Sequence, residues 1–508
     1  MKLFSTIQKI IFSRISFCAV GIIMQLLYLL ALFWMLGTMF SYSYFVFLVI
    51  GLLVALYIIN RDISPGYKLI WVFVVLSFPV FGCVFYWFYG KHGRYRNTIM
   101  HKAYNEFLYD DDDIADNILK EDEHAAKQAH YIRRNGDLRI YSDTDTKYFR
   151  NGETFFPILL EELEKAERSI FLEFFIIDKG YMWDSIIEIL ERKTRSGVDV
   201  RIIYDDFGCL MTLPRNYDAT LRRKGLKCAV FSRLRPYWSS KLNNRDHRKI
   251  IVIDGNTAFT GGINLADEYI NAKEKHGHWK DAAIMMKGKA AWSFTLIFLQ
   301  MWELCTHVNE GYESYYPWKE QACPVIANGF VQPYADSPLD AENVGEHVYL
   351  QIINSAKEYV YINTPYLIVD DSMVSALCLA AKRGVDVRIA TPHRWDKWLV
   401  HMTTRSYYRE LIRSGVKIYE YSSGFLHSKT FVSDDIIGTV GTTNLDFRSL
   451  YLHFECGTWM YGSRAVMQIK EDFLNTLPVC QRFEEKDCAK YLSSKLLQEI
   501  LRLFAPLM

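Results

Sequence analysis

The chain has 508 residues, half of them hydrophobic and 15% aromatic, with 59 basic and 58 acidic side chains. That apolar content excludes a disordered chain, and a net charge of +1 without a long basic run excludes the electrostatic footprint of a nucleic-acid binder. Ten cysteines without CxxC pairs or a repeated spacing speak against a zinc site, and Cys18, Cys83 and Cys378, in apolar stretches, read as buried free thiols.

The first ninety residues carry three uncharged segments of 20 residues each, at 17–36, 40–59 and 69–88. A bilayer core about 30 Å thick needs about 20 apolar residues of helix, so all three are long enough to span. None shows the polar stripe of a buried globular helix. The first is too long for a signal-peptide core of about 7–15 residues. Tyr86, Trp87 and Tyr89 read as interface anchors, and Pro79 and Gly82 as a kink or re-entrant turn. Lys2, Lys9 and Arg14 precede the first segment, Arg61 and Lys68 lie between the second and third, and Lys91, Arg94 and Arg96 follow the third. Three full spans place the two ends on opposite sides although both are basic. Either one segment does not cross fully or one basic flank faces outward. Residues 1–95 are thus expected to form a helical transmembrane region, and 96–139 a linker whose acidic run at 110–113 is solvated.

From about residue 140, short apolar runs alternate with amphipathic stretches, the βαβ pattern of an α/β fold. The pattern occurs twice. SIFLEFFII at 169–177 and EYVYINTPYLI at 358–368 open the two copies as strands. A helix follows each, then the shared string GVDVRI, starting at Gly197 and again at Gly384. Another helix and a Gly-led strand follow, RRKGLKCAVF at 222–231 and IRSGVKIYEY at 412–421. This predicts two α/β halves, 140–325 and 326–508, packed about a pseudo-two-fold axis.

Each half then carries the same constellation. The first gives His247, Lys249 and Asp254, then Gly262 and Asn264; the second gives His427, Lys429 and Asp434, then Gly441 and Asn444. In both copies the asparagine lies 17 residues after the histidine. On an extended strand, side chains at i and i+2 share a face, so each His and Lys point the same way. Asp254 and Asp434, seven positions on, fall on the opposite face and suit a structural ion pair or turn bond. As members of the repeated His-x-Lys-x-x-x-x-Asp motif, they still count with the catalytic set. Two such matches at one place in a repeat are not a composition accident, as a single match would be.

Phosphodiester transfer needs a nucleophile, an acid for the leaving oxygen, and cations around the non-bridging oxygens. Imidazole titrates near neutrality, so two histidines can fill the first two roles, one of them forming a covalent phosphohistidine. Lys249 and Lys429, with Asn264 and Asn444, would bind and stabilise the phosphoryl oxygens. No metal is required. Each histidine needs an acceptor for its other nitrogen, and Glu455 and Asp281 are the candidates. Glu173 and Asn363, on the early strands, are further candidates, whereas His278, His393 and His453 read as surface or hydrogen-bonded histidines.

At these motifs the chain resembles the phospholipase D superfamily, whose two HKD motifs combine into one active site, and within it the bacterial cardiolipin synthases. KLIWVFVVLSFPVFGCVFYWFYGK, LNNRDHRKIIVIDGNTAFTGGINLADEY, HWKD and GFLHSKTFVSDDIIGTVGTTNLDFRSLYLHFE carry the resemblance, with an extra apolar segment at the start as the departure. It implies phosphatidyl transfer from one phosphatidylglycerol to another, giving cardiolipin and glycerol, without a cofactor. By analogy His247 is the nucleophile and His427 the acid and base. It also implies a multi-pass protein of the bacterial plasma membrane with its catalytic part on the cytoplasmic face. The aromatic stretch RPYWSSKLNN at 235–244 is a candidate for the mouth of the site, with a core or loop role as the other reading. The alternatives are a phospholipase D that releases phosphatidic acid to water, and a transphosphatidylase using phosphatidylethanolamine. Two intact motifs argue against a non-catalytic scaffold.

Overall fold

A computed structural model describes residues 23–24, 26–28, 30–31, 37–61, 63–90, 118, 120–136, 138–233, 243–308, 311–318, 325, 329–340, 342–490 and 495–507. Two compact units are present, one dominated by residues 1–93 and the other by 94–235 and 242–502.

In the smaller unit, α1 (Gly37–Ile59) runs 23 residues without a charged side chain. α2 (Pro65–Ser77) stops at Phe78, and α3 (Pro79–Phe85) restarts at the proline. Pro79 has no N–H to continue the ladder, so the third apolar segment divides at Phe78 into two short helices, and a π-helical turn (Tyr86–Gly90) follows. The first apolar segment lies largely outside the described residues, as does the acidic run at 110–113. Among the described residues no helix is long and apolar enough to cross a membrane.

The larger unit contains two large sheets. The first is built from β1 (Thr144–Phe149), β2 (Ser169–Phe174), β3 (Asp199–Asp205), β4 (Lys227–Phe231), β6 (Lys249–Ile253), β7 (Thr257–Gly261) and β9 (Ala283–Gly288). Its order is β1-β9-β7-β6-β2-β3-β4. The second uses β10 (Phe330–Asp336), β11 (Tyr359–Asn363), β13 (Asp386–Pro392), β14 (Lys417–Tyr421), β16 (Thr430–Ser433), β17 (Ile437–Gly441), β19 (His453–Tyr461) and β20 (Cys480–Phe483). Its order is β10-β19-β17-β16-β11-β13-β14-β20. Strand for strand the two orders coincide, with β20 added at one edge. In each, three parallel strands (β2-β3-β4 and β11-β13-β14) adjoin an antiparallel meander. The repeated GVDVRI string occupies β3 and β13, so the internal repeat of the sequence is a repeat of sheet topology.

The meanders of the two sheets pack on each other. Phe171, Ile250, Ala258 and Met286 of the first half share one buried core with Val432, Val440, Cys456 and Met460 of the second. Burial of that apolar surface from both halves makes them one folding entity. The helix Ala290–Thr306, almost wholly buried, lies in that core. The linker expectation is corrected at residues 123–136. They form α4 (Glu123–Gly136), whose Ala125, Ala129 and Ile132 are buried and whose Gln128 bonds Ser355 and Trp459 of the second half. The stripe at i, i+4, i+7 is short and weakly apolar, which hides it in sequence.

Candidate active site

Each motif strand is stitched to the opposite half. β5 (Arg245–Asp246) pairs in parallel with β19, and the His247 N–H donates to Phe454 O at 3.0 Å. In mirror fashion β15 (Gly424–Leu426) pairs with β8 (His278–Lys280), and the His427 N–H donates to Lys280 O at 2.7 Å. Neither histidine is therefore positioned by its own half alone.

The side chains repeat the crossing. His247 Nδ1 lies 2.9 and 3.1 Å from the two oxygens of Glu455, which the Thr442 hydroxyl also holds. His427 Nδ1 lies 2.6 Å from Asp281 Oδ2. A carboxylate accepting from Nδ1–H leaves the lone pair on Nε2, the nitrogen that must reach phosphorus. Both imidazoles are nearly buried, at 8% and 7% exposure, and aromatic rings wall them in. Phe175 stands edge-on to His247 at 5.0 Å; Trp279 and Tyr269 lie 5.3 and 5.6 Å from His427.

Lys249 and Lys429 donate to the carbonyls of His247 and His427, and Lys429 Nζ is also 2.9 Å from His427 Nδ1. Burial lowers Lys249 to about 8 and Lys429 to about 7. Burial and then Lys249 push His247 well below the usual histidine range, and burial and then Lys429 hold His427 at about 4. Burial raises the Glu455 carboxyl well above its usual range. The site thus gathers two buried lysines and two carboxylate-held imidazoles, donors suited to the oxygens of an anion. His247, His453 and Glu455 bring potential ligand atoms within 4.8 Å of one another. Lys249 is felt by both of those histidines, which opposes a divalent cation there.

The motif aspartates do something else. Asp254, at φ +50°, accepts the N–H groups of Glu167, Arg168 and Ser169 at 2.9, 2.7 and 2.8 Å. Asp434, at φ +52°, accepts those of Lys357, Glu358 and Tyr359 at 2.7, 2.9 and 2.9 Å. Counting them with the catalytic set is corrected accordingly. They pin the starts of β2 and β11, as the opposite-face argument requires.

The two asparagines are each bonded to a neighbouring hydroxyl. Asn264 accepts from Ile176 N–H at 3.0 Å and donates to the Tyr269 hydroxyl at 2.7 Å, holding a ring that faces His427. Asn444 Nδ2 donates to Ser449 at 3.1 Å. Of the further candidates, Glu173 pairs with Arg248 at 2.7 Å and Asn363 donates to Thr430 at 3.0 Å, so neither reaches the imidazoles. Residues 234–242, most of the proposed mouth stretch, lie outside the described residues.

His453 is the residue that sequence reasoning passed over. Its ring centroid is 5.5 Å from that of His247, and its Nδ1 is 3.6 Å from Glu455 Oε1. The signal in the sequence is its spacing: His453 lies two residues before Glu455 on one strand, and i and i+2 share a face.

A family described as "Cardiolipin synthase, PLD-like domain" matches residues 159–302 and 349–477, and "Phospholipase_D-nuclease N-terminal" matches 47–91. The chain belongs to the cardiolipin synthase family of phospholipase D-like proteins. It is 34% identical to cardiolipin synthase 2 of Bacillus anthracis over 471 residues, 91% of each chain. It is 35% identical to a cardiolipin synthase of a Geobacillus species over 456 residues, covering 88% of this chain and 89% of that one. Among solved structures, phosphatidylserine synthase of Haemophilus influenzae shares the fold, with TM-score 0.56 at 14% identity, covering 75% of this chain and all of that one.

Proposed function

We propose that the protein is a cardiolipin synthase, a phosphatidyltransferase that moves the phosphatidyl group of one phosphatidylglycerol to the primary hydroxyl of a second. The observation that carries this reading is the crossed pair of carboxylate-held imidazoles with two buried lysines, in a chain of this family. His247 Nε2 attacks phosphorus and the glycerol oxygen leaves with a proton from His427, giving a phosphohistidine. His427, now neutral, takes the proton of the incoming hydroxyl as it attacks, and cardiolipin departs. Lys249 and Lys429 neutralise the non-bridging oxygens. A bound anion favours the charged form of His427, against the burial and the Lys429 charge that lower it. The motif residues Asp254 and Asp434 hold the strands beneath the site, and Asn264 and Asn444 support its wall.

The apolar segments at 17–36, 40–59 and 69–88 supply a membrane anchor in this reading, since both reactants are bilayer lipids. The two lipid-transferring halves correspond to 140–325 and 326–508. The purified full chain, given vesicles in which phosphatidylglycerol is the sole phospholipid, should release cardiolipin and glycerol in equal amounts. Phosphatidic acid without cardiolipin would instead favour hydrolysis.

A further inference from the structure

Two exposed apolar tips flank the site, one in each half. After β3, Phe207, Leu210 and Met211 are 47, 51 and 71% exposed. After β13, Trp395, Trp398 and Leu399 are 52, 47 and 46% exposed. β3 and β13 hold equivalent places in the two sheet orders, so the tips are equivalent too.

Sheet register puts both tips on the edge that carries the catalytic histidines. Lys249, at the start of β6, pairs with Phe174 at the end of β2, so His247 lies beyond the C-terminal end of β2. β3 runs parallel to β2 and its loop leaves from that same end. In the second half Thr430 pairs with Asn363 at the end of β11, and β13 runs parallel to β11.

Neither tip is a slack loop. Asp205 Oδ1 accepts the N–H groups of Phe207 and Gly208 at 2.8 and 3.0 Å, and Thr212 donates to Ile177 O at 2.6 Å. At Gly208 a Cβ would meet the Phe175 carbonyl at 2.0 Å, so the loop lies directly on the residue whose ring faces His247. On the other side Tyr366 donates to Asp396 at 2.6 Å, and Tyr366 precedes β12 (Leu367–Ile368), which pairs with β18 (Leu445–Asp446) next to Asn444. Each tip also has an exposed arginine beside its apolar residues, Arg215 in the first and Arg394 in the second, and the second adds Lys397, paired with Asp396 at 2.6 Å.

We propose that these two tips dock the catalytic unit on an anionic phospholipid leaflet, with the site opening onto the lipid between them. Apolar side chains enter the headgroup–acyl boundary and the adjacent cations meet lipid phosphates. Docking spares a lipid the cost of leaving the bilayer entirely, since only the headgroup must reach the imidazoles. The inference rests on the phosphatidyl-transfer reading for its substrate, while the surface itself rests on exposure, register and charge.

The test uses the full chain and a quadruple variant, Leu210→Ser, Met211→Ser, Trp395→Ser, Trp398→Ser. Phosphatidylglycerol in vesicles is compared with a short-chain phosphatidylglycerol dissolved as monomers. Docking predicts a loss of about tenfold or more on vesicles, with monomer turnover within about twofold of wild type. Unchanged activity on vesicles, or equal loss on both substrates, overturns it. Brominated phosphatidylglycerol vesicles give a readout independent of turnover. They should quench part of the wild-type tryptophan fluorescence that Trp395→Phe, Trp398→Phe lacks, and identical quenching overturns the proposal. A wild type that quenches but turns over neither substrate contradicts the transfer reading and leaves docking standing.

Discussion

Asp281 of the first half holds His427 of the second at 2.6 Å, and Glu455 of the second holds His247 of the first at 2.9 Å. The two halves exchange their orienting carboxylates, so the site exists only when the repeat is assembled. Asp281→Asn keeps the shape and removes the charge that fixes the His427 tautomer. It should lower kcat by about 10²- to 10⁴-fold with little change in unfolding temperature. Steady-state kinetics on phosphatidylglycerol beside a thermal melt would check this, and near-normal kcat would refute the role assigned to Asp281.

The motif aspartates give the opposite signature. Asp254→Ala loses the acceptor for three backbone N–H groups and puts alanine at φ +50°. It should destabilise the catalytic unit by about 3 kcal/mol or more. Asp254→Asn keeps an acceptor oxygen and tolerates that backbone, so it should cost clearly less. Chemical denaturation of both variants, with kcat measured on the folded fraction, separates this from a chemical role. A kcat loss as large as that of Asp281→Asn in stable protein would contradict it.

His427 also predicts a pH effect on stability. Its folded value of about 4 lies below the unfolded value of about 6.5. Between these the unfolded chain binds more protons, so this group destabilises the fold as pH falls through that window. His427→Asn removes the contribution. Its unfolding temperature should therefore fall less steeply than wild type between about pH 6.5 and 4. Parallel slopes in a melt series would show that His427 is not buried neutral.

His453 stands 3.6 Å from Glu455 and 3.4 Å from Arg448, behind the His247 pair. As a positioning residue it should act on rate and not on affinity. His453→Ala should lower kcat by about 10- to 100-fold with KM nearly constant, and His453→Asn should recover part of it. A change confined to KM would instead place His453 against the substrate.

The site was legible from sequence where the chemistry repeats. The histidines and lysines follow from two copies of one spacing, and the orienting carboxylates Asp281 and Glu455 from the strands that come after each copy. The crossing of Asp281 and Glu455 was not, because spacing says which residues share a strand face and nothing about which half that face meets. Asn264 and Asn444 repeat as faithfully as the histidines, and their bonds to Tyr269 and Ser449 show that a repeated polar residue marks a repeated environment. The helix at 123–136 escaped because its buried stripe is mostly alanine. The third apolar segment divides at Phe78 because Pro79 lacks an N–H, a break that the proline in the sequence announces and hydropathy alone does not.

We propose that one composite site works through His247 as the nucleophile, with His427 as its acid and base. Rapid acid-free quenching of the full chain with phosphatidylglycerol carrying a radiolabelled phosphate, followed by proteolysis and mass spectrometry, would locate any covalent phosphatidyl group. Label on the His247 peptide, absent in His247→Ala, is the expected result. Label on His427, or turnover in His247→Ala at the wild-type rate, would contradict the account.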